Sequence, residues 1–207
     1  MPFPSATPTP LVADLGQVVF SENFDDQDFP FNVYGPYRIE NFSPHQNGSG
    51  ILVLEREEGY QPPPDMWPTD GLYETSSIAL GVTSIILFKT AGNINFNIGY
   101  HTGVYGTDSL RRFNYNSSGR WDLYEGKSAT TIKSWNARST RTNVWYYFSI
   151  TRSANGDMDA KLWEQGKPET MFKFHGNMGT EWGRLNLTFF VDFRWGSFML
   201  DEYQELK

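Results

Sequence analysis

The 207-residue sequence predicts an all-β domain, either an antiparallel sandwich or a barrel. Thirteen short segments alternate apolar and polar side chains with the period of two that is typical of half-buried strands. Clusters of Gly, Asn, Pro and Ser separate these segments, and the sequence shows no amphipathic helix and no internal repeat. Aromatic residues make up 16% of the chain, which favours strands because aromatic side chains pack well on a pleated surface.

The predicted strands follow one another from residue 17 to residue 204. In chain order they cover residues 17–24, 50–55, 72–80, 84–90, 93–101, 110–116, 120–125, 130–134, 144–152, 158–164, 170–174, 185–195 and 197–204. The turns between them contain residues that accept the positive φ of tight hairpins, above all Asn and Gly. We place such turns at residues 47–48, 116–119, 154–157 and 165–168.

Residues 1–15 precede the predicted β domain, which covers residues 16–207. Pro and Thr recur through this first segment, and we interpret it as a linker of polyproline character. Residues 1–10 have neither the basic end nor the apolar run of a signal peptide. We expect the chain to be part of a longer secreted or cell-surface protein, with the linker joining it to other domains.

The charge pattern and the missing cysteines argue against several kinds of partner and site. The formal net charge is −7, with acidic and basic residues mixed along the chain. Nucleic acid and anionic membrane surfaces bind positive stripes, so we expect neither as a partner. No stretch approaches the roughly 20 apolar residues that span a bilayer, so we expect no membrane insertion. Without cysteine, the chain can form neither a disulfide nor a thiolate metal site.

Alternation within the predicted strands assigns side chains to two faces. In residues 93–101, for example, Phe96 points to one face and Asn95 to the other. We expect the apolar face to be buried between two sheets and the polar face to line one concave sheet surface. The predicted polar surface comprises Asn95, Asn97, His101, Arg112, Asn114, Asp122, Asp192 and Arg194. Amide, carboxylate and guanidinium groups of this kind hydrogen-bond sugar hydroxyls, although a solvated sheet face without a ligand has the same composition.

The longest irregular stretch, residues 57–70, carries Tyr60 and Trp67 among four prolines. A structureless stretch of that length is usually either functional or disordered. Large aromatic rings are rare in disordered segments, so we predict an ordered loop beside a binding site. Both rings are then candidates for stacking on a sugar.

Five segments carry a family resemblance that covers nearly the whole chain beyond the linker. They are residues 19–26 (VFSENFDD), 50–54 (GILVL), 112–124 (RFNYNSSGRWDLY), 145–166 (with WYYFSI and AKLWEQG) and 196–202 (GSFMLDE). These segments resemble, in order, the first two strands, the aromatic pair with its W-x-L strand, two later strands and the closing strand of concanavalin-A-like, laminin-G-like domains. The resemblance implies a two-sheet antiparallel β-sandwich of the jelly-roll kind.

The resemblance implies one fold but leaves several functions open. The superfamily spans lectins, carbohydrate-binding modules, glucanases, glycan lyases and adhesion domains. Its glucanases carry carboxylates in the pattern E-x-D-x-x-E on one strand, and this chain has no such run. Asp122 and Asp192 remain a candidate carboxylate pair if they meet across strands. A lyase-like alternative combines Asn95, His101, Arg112 and Tyr124.

Structural calcium is a further implication of the resemblance, since sandwich carbohydrate modules often hold Ca²⁺ where the first and last strands meet. Oxygen-bearing side chains lie at both of those places in this sequence, and Ca²⁺ prefers oxygen ligands. The predicted ligands are Glu22, Asn23, Asp25 and Asp201. The alternative is that the acidic residues near position 25 only begin a turn and that Asp201 caps a strand.

Together these observations predict a non-catalytic carbohydrate-binding module that tethers a larger extracellular protein to a polysaccharide. The alternatives are an atypical glycoside hydrolase or polysaccharide lyase, and an adhesion or sensing domain that binds protein. The predicted sugar contacts are Tyr60, Trp67, Asn95, Asn97, His101, Arg112, Trp121, Tyr124, Asp192 and Arg194. Trp121 is also a candidate core residue, because the resemblance places a buried aromatic ring there.

Overall fold

The computed structural model describes residues 16–22, 24, 31–34, 37–40, 50–55, 71–75, 78–102, 108–126, 130–177, 179–180 and 186–207. These residues form thirteen antiparallel β-strands. The strands are β1 (Val18–Glu22), β2 (Phe31–Tyr34), β3 (Tyr37–Glu40), β4 (Ile51–Glu55), β5 (Gly71–Thr75), β6 (Thr83–Thr102), β7 (Arg111–Asn116), β8 (Arg120–Glu125), β9 (Thr130–Asn136), β10 (Tyr146–Arg152), β11 (Asp157–Glu164), β12 (Lys167–Asn177) and β13 (Asn186–Leu206). Within the described ranges, no helix has the length and apolar character that crossing a membrane requires.

Two long strands, β6 and β13, form the centre of the fold. They pair with each other almost from end to end as a continuous ribbon, beginning with His101 opposite Asn186. Residues 83–88 of β6 pair on their other side with β10, whereas residues 97–102 pair with β7. The two halves of the ribbon therefore belong to two different layers of strands.

The two layers pack face to face as a sandwich. The first layer has the order β12-β11-β10-β6-β13-β1, and the second has the order β9-β8-β7-β6-β13-β5-β2. Strands β4 and β3 continue from the middle of β13. Rings from β7 and β8 meet rings from β10 and β12 in the core, with centroids 4.6 Å apart for Phe113 and Phe174. This sandwich is the fold class that the sequence and the resemblance predict.

Trp121 lies in this core, so the prediction that it contacts sugar is wrong. Its side chain is 0% exposed and stacks on Phe113, with ring centroids 5.6 Å apart and planes 4° from parallel. On its other sides the indole contacts Phe148 and Phe174, both at 5.8 Å. Burial of a ring of this size stabilises the fold by about 3 kcal/mol. This gain favours the orientation of β8 that points Trp121 into the core.

The sequence pattern predicts a break within β6 and another within β13, whereas both strands are continuous in the structure. Gly92, with φ of +74°, pairs with Gly196 at this point of the ribbon. A Cβ at Gly196 would lie 2.1 Å from the carbonyl oxygen of Ala91, so only glycine permits this close approach of the two strands. A β-bulge between Asp192 and Trp195 shifts the register beside the glycine pair. Bulges and glycines bend a strand without ending it, although in sequence they resemble turns.

Two short strands are missing from the sequence prediction. β2 and β3 have four residues each, so only two side chains lie on each face and alternation does not stand out. Three predicted turns are confirmed, and each contains a glycine with positive φ: Gly119 at +77°, Gly156 at +89° and Gly166 at +73°. The turn predicted at residues 47–48 and the linker predicted at residues 1–15 lie outside the described residues.

Candidate functional site

The face of the second layer that points away from the core is polar. Its residues lie opposite one another across β6, β7, β8 and β9 in successive rows, with neighbouring strands about 4.8 Å apart. The first row is His101, Arg112 and Tyr124, the second is Gly99, Asn114, Asp122 and Ser134, and the third is Asn97, Asn116, Arg120 and Asn136. We call these three rows, together with Asn95 two residues beyond Asn97 on β6, the polar face.

Asp122 is the centre of a hydrogen-bond network on this face. Its side chain is fully buried, and four neighbouring side chains donate to its two carboxylate oxygens. Arg120 Nη2 lies 3.2 Å from both oxygens, and Tyr124 Oη lies 3.1 Å from Oδ2. Asn116 Nδ2 donates to Oδ2, and Ser134 Oγ donates to Oδ1. A carboxylate has about four lone-pair positions, so these donors use its whole capacity as an acceptor.

The turn after β7 orients one of these donors. Asn116 Oδ1 accepts hydrogen bonds from the Ser118 amide at 3.1 Å and the Ser118 hydroxyl at 2.6 Å. The Gly119 amide donates to the Asn116 carbonyl at 2.9 Å, which closes the turn. With its oxygen held on the turn, the Asn116 amide group presents its nitrogen to Asp122. The β7–β8 turn and the network on the sheet are therefore one rigid unit.

Asn114 occupies the middle of the polar face and differs from its neighbours. Its side chain is 1% exposed, and neither Nδ2 nor Oδ1 has a hydrogen-bond partner among the described residues. A buried amide without partners costs about 1–3 kcal/mol per polar atom, so such groups in native proteins usually hold a water or a ligand. Beside it, Gly99 allows β6 and β7 to approach closely, because a Cβ there would lie 1.9 Å from the Phe113 carbonyl oxygen.

The first row of the polar face brings three ionisable groups together. The Arg112 guanidinium lies over the Tyr124 ring, 4.9 Å from its centroid. Burial, and next the positive charge of Arg112, lowers the pKa of His101 from its usual value to about 4, so the imidazole is neutral at pH 7. Burial, and next the negative charge of Asp122, raises the pKa of Tyr124, so this hydroxyl keeps the proton that it donates to Asp122.

Five of the predicted sugar contacts lie together on the polar face: Asn95, Asn97, His101, Arg112 and Tyr124. Tyr60 and Trp67 lie outside the described residues. Asp192 pairs with Asn95 in the backbone register, and Arg194 lies within the β-bulge of β13, but the side chains of both are outside the described part. Strands β7 and β6 separate β8 from β13, which places Asp122 and Asp192 about 14 Å apart or more. The structure therefore does not bring that carboxylate pair together.

The predicted calcium ligands lie only partly within the described residues. β1 pairs with β13, so the first and last strands meet, and Glu22 lies opposite Tyr203. Glu22 Oε1 accepts the Phe24 amide at 2.7 Å, and Asp201 is 3% exposed. Asn23 and Asp25 lie outside the described residues. Among the described residues no group of three or more His, Cys, Asp or Glu side chains is placed to hold a metal ion, and the calcium site stays a prediction.

Sequence reasoning missed three members of the Asp122 network: Asn116, Arg120 and Ser134. Arg120 lies two residues before Asp122 on the same strand, so alternation already places both on one face. That signal was present in the sequence. Ser134 pairs with Asp122 across β8 and β9, and this register follows from the tertiary pairing alone.

The comparisons with known proteins concern the fold. No family model matches the sequence, and a search of curated proteins finds no significant match. A protein of unknown function from Shewanella oneidensis MR-1 has a similar structure, with a TM-score of 0.61 at 11% identity over 99% of this chain and 95% of that chain. A protein of unknown function with a galectin-like fold from Bacillus subtilis has a TM-score of 0.60 at 6% identity, over 92% and 96% of the two chains.

A β-glucanase from Bacillus licheniformis is also similar, with a TM-score of 0.52 at 10% identity over 93% of this chain and 99% of that chain. At identities this low, the likeness shows the fold alone. The chain has the concanavalin-A-like lectin/glucanase jelly-roll fold, which confirms the fold that the sequence resemblance implies.

Proposed function

We propose that this domain is a non-catalytic carbohydrate-binding module and that a polysaccharide lies across its polar face. The observation that carries the proposal is the hydrogen-bond network of Asp122, which holds four polar side chains in fixed positions on an otherwise regular sheet. Groups held in place before binding lose little conformational entropy when a ligand arrives.

The chemistry of the polar face suits sugar hydroxyls. Arg112 and Arg120 supply guanidinium donors, and Asn95 and Asn97 supply amides that both donate and accept. The half-buried Tyr124 ring lies beside them, under the Arg112 guanidinium. The polar atoms of Asn114 are buried and unsatisfied among the described residues, so they would gain from a water that bridges them to the ligand. We expect affinities from roughly micromolar to millimolar, as sheet faces with few stacking rings bury little area.

The proposal is for binding rather than hydrolysis because of the state of Asp122. Its oxygens are already occupied by four donors, so it has no free lone pair for a nucleophilic or general-base role. Retaining glycosidases need a second carboxyl group about 5 Å away. Among the described side chains of the polar face, Asp122 is the only carboxylate. The similarity to a β-glucanase supports a carbohydrate ligand through the fold but brings no catalytic pair.

A polysaccharide lyase is the second candidate function, and one observation favours it. His101 and Arg112 lie side by side in one row with Tyr124. A lyase needs a base next to a cation that neutralises a uronate. The low pKa of His101 and the hydrogen bond from Tyr124 to Asp122 make both groups weak bases at pH 7, so we rank binding first.

The test is a binding screen against polysaccharides and oligosaccharides by affinity electrophoresis and calorimetry, with calcium and with chelator. Reducing ends and unsaturated products are measured in the same tubes. Arg112→Ala should weaken binding at least about tenfold. Arg111→Ala is the matched control, because Arg111 is the adjacent residue on β7 and pairs with Glu125 at 3.4 Å.

Each outcome of the screen has a distinct meaning. Binding without turnover, lost in Arg112→Ala and kept in Arg111→Ala, supports a carbohydrate-binding module on the polar face. Turnover that yields unsaturated products would support the polysaccharide lyase in place of a non-catalytic module. No binding to any glycan would overturn the proposal and favour a domain that binds protein.

A further inference from the structure

A pocket of about 330 Å³ lies at the edge of the sandwich, and none of its residues belongs to the polar face. It opens between the loop of residues 137–145 and the β11–β12 hairpin. Tyr146, Leu162 and Phe172 are among the residues that form its apolar wall. Ligand sites in proteins are typically concave and mostly apolar, with a few polar groups that orient the ligand. This pocket is at the small end of that range of volumes and suits a ligand of one or two rings.

The loop that forms one wall is held in place by hydrogen bonds to three strands. Tyr115 Oη donates to the Arg138 carbonyl at 2.7 Å. The Arg141 amide donates to Tyr146 Oη at 3.1 Å, and the Asn143 amide donates to a carbonyl of β6 at 2.7 Å. The shape of the pocket therefore exists before any ligand binds, which lowers the entropic cost of binding.

The charges in the pocket do not balance. Three cations, Arg138, Arg141 and Lys167, line it together with one carboxylate, Glu164. Arg141 Nη2 donates to one oxygen of Glu164, and Lys167 Nζ donates to the other. These two contacts, that of Lys167 first, hold the pKa of Glu164 below its usual value, so the carboxylate stays charged at neutral pH.

Glu164 forms ion pairs with Arg141 and Lys167 but not with Arg138. The Arg138 guanidinium has no ion-pair partner among the described residues, while its backbone carbonyl fixes the loop through Tyr115. The pocket thus carries a surplus of two positive charges in a chain whose formal net charge is −7. A concave site lined with one sign of charge concentrates ligands of the opposite sign.

We propose that this pocket binds the carboxylate of a ring-sized organic anion, of which a hexuronic acid unit is the simplest sugar example. Arg138 presents a planar fork of donors that fits a carboxylate in bidentate fashion. Arg141 and Lys167 add positive potential, and the wall of Tyr146 and Phe172 takes the ring. The pocket is a second site that does not depend on the polar face.

The test is a titration of ¹⁵N-labelled full chain with glucuronate, glucose and acetate, in which the backbone amides of residues 138–146 and 164–172 report on the pocket. Glucuronate should give saturable shifts with a Kd of roughly 1 mM. Glucose lacks the charge and acetate lacks the ring, so both should bind at least about tenfold more weakly. Raising the salt from about 0.05 M to about 0.5 M should weaken glucuronate binding severalfold.

Arg138→Gln should raise the Kd for glucuronate about tenfold and leave the fold intact, because the structural bond uses the Arg138 carbonyl. Lys173→Gln is the control, since Lys173 is an exposed cation on β12 outside the pocket. Equal binding of glucose and glucuronate, or an unchanged Kd in Arg138→Gln, would overturn the proposal. Tighter binding of glucose 6-sulfate than of glucuronate would overturn the carboxylate assignment. Loss of polysaccharide binding on the polar face would affect neither result.

Discussion

Removing the Asp122 carboxylate should destabilise the domain and loosen the polar face. In Asp122→Ala, four donors lose their acceptor at once. Arg120 is 48% exposed and Ser134 is exposed, so both regain water and their loss costs little. Asn116 and Tyr124 are half-buried, and each loses a hydrogen bond to a charged acceptor that is worth about 1.5 kcal/mol. We therefore expect a loss of about 3 kcal/mol in the free energy of unfolding.

The assay is guanidinium unfolding followed by tryptophan fluorescence, with the midpoint and the slope fitted together. Asp122→Asn keeps the volume but turns one acceptor into a donor among donors, so it should cost about 2 kcal/mol. Asp159→Asn is the matched control, because Asp159 is exposed and its side chain contacts only His175 among the described residues. It should change the free energy of unfolding by less than about 0.5 kcal/mol.

A double-mutant cycle decides whether the network acts as a unit. Asp122→Ala and Tyr124→Phe remove the two ends of one hydrogen bond, so their effects should be less than additive by about 1 kcal/mol. A cost below about 1 kcal/mol for Asp122→Ala would refute the reasoning. Additive effects of the two substitutions would refute it as well, because they would mean that the two groups do not interact.

Three further predictions concern titration, packing and calcium. His101 has a pKa near 4 in the folded chain, below its usual value of 6.5. As the pH falls from 6.5 towards 4, the unfolded chain therefore takes up a proton before the folded chain does, and the domain should lose about 3 kcal/mol of stability in all. Unfolding of the wild type and His101→Gln at several pH values should show this difference in slope, and parallel slopes would contradict it. Gly99→Ala should cost at least about 2 kcal/mol in denaturant unfolding, because its Cβ would lie 1.9 Å from a backbone oxygen, and a neutral effect would mean that β6 and β7 are further apart. About 1 mM Ca²⁺ should raise the Tm of the wild type but not of Asp201→Asn, and an identical Tm in calcium and in chelator would end the calcium hypothesis.

Local sequence patterns were enough for most of the fold. The period of two in β6, β7 and β8 assigns Ile98, Phe113 and Trp121 to one face and Asn97, Asn114 and Asp122 to the other. The structure buries the first three completely in the core, which confirms the faces of Ile98 and Phe113 and corrects the prediction that Trp121 contacts sugar. Alternation works here because the direction of a side chain on a strand depends only on its position along that strand. It fails at the bend of the ribbon, where glycines and a bulge resemble turns.

The candidate site was predicted only in part, because its geometry depends on which strands are neighbours. Sequence alternation placed His101 and Arg112 on polar faces and Tyr124 was a candidate sugar contact; strand pairing then aligned all three in one row. Sequence reasoning also allowed Asp122 to meet Asp192, and the pairing order separates them by two strands. A carboxylate pair is a statement about distance, and distance across a sheet follows from pairing order.

By itself the sequence determined the β class, the boundaries of most strands, the inward and outward side chains and the likeness to a jelly-roll fold. These features are local, or they repeat along the chain, so composition and period carry them. The tertiary structure alone decided the partners of Asp122, the unsatisfied amide of Asn114 and the charged pocket around Arg138. Each of these brings together residues from different strands or loops, and their contacts are set by how the long ribbon of β6 and β13 closes the sandwich.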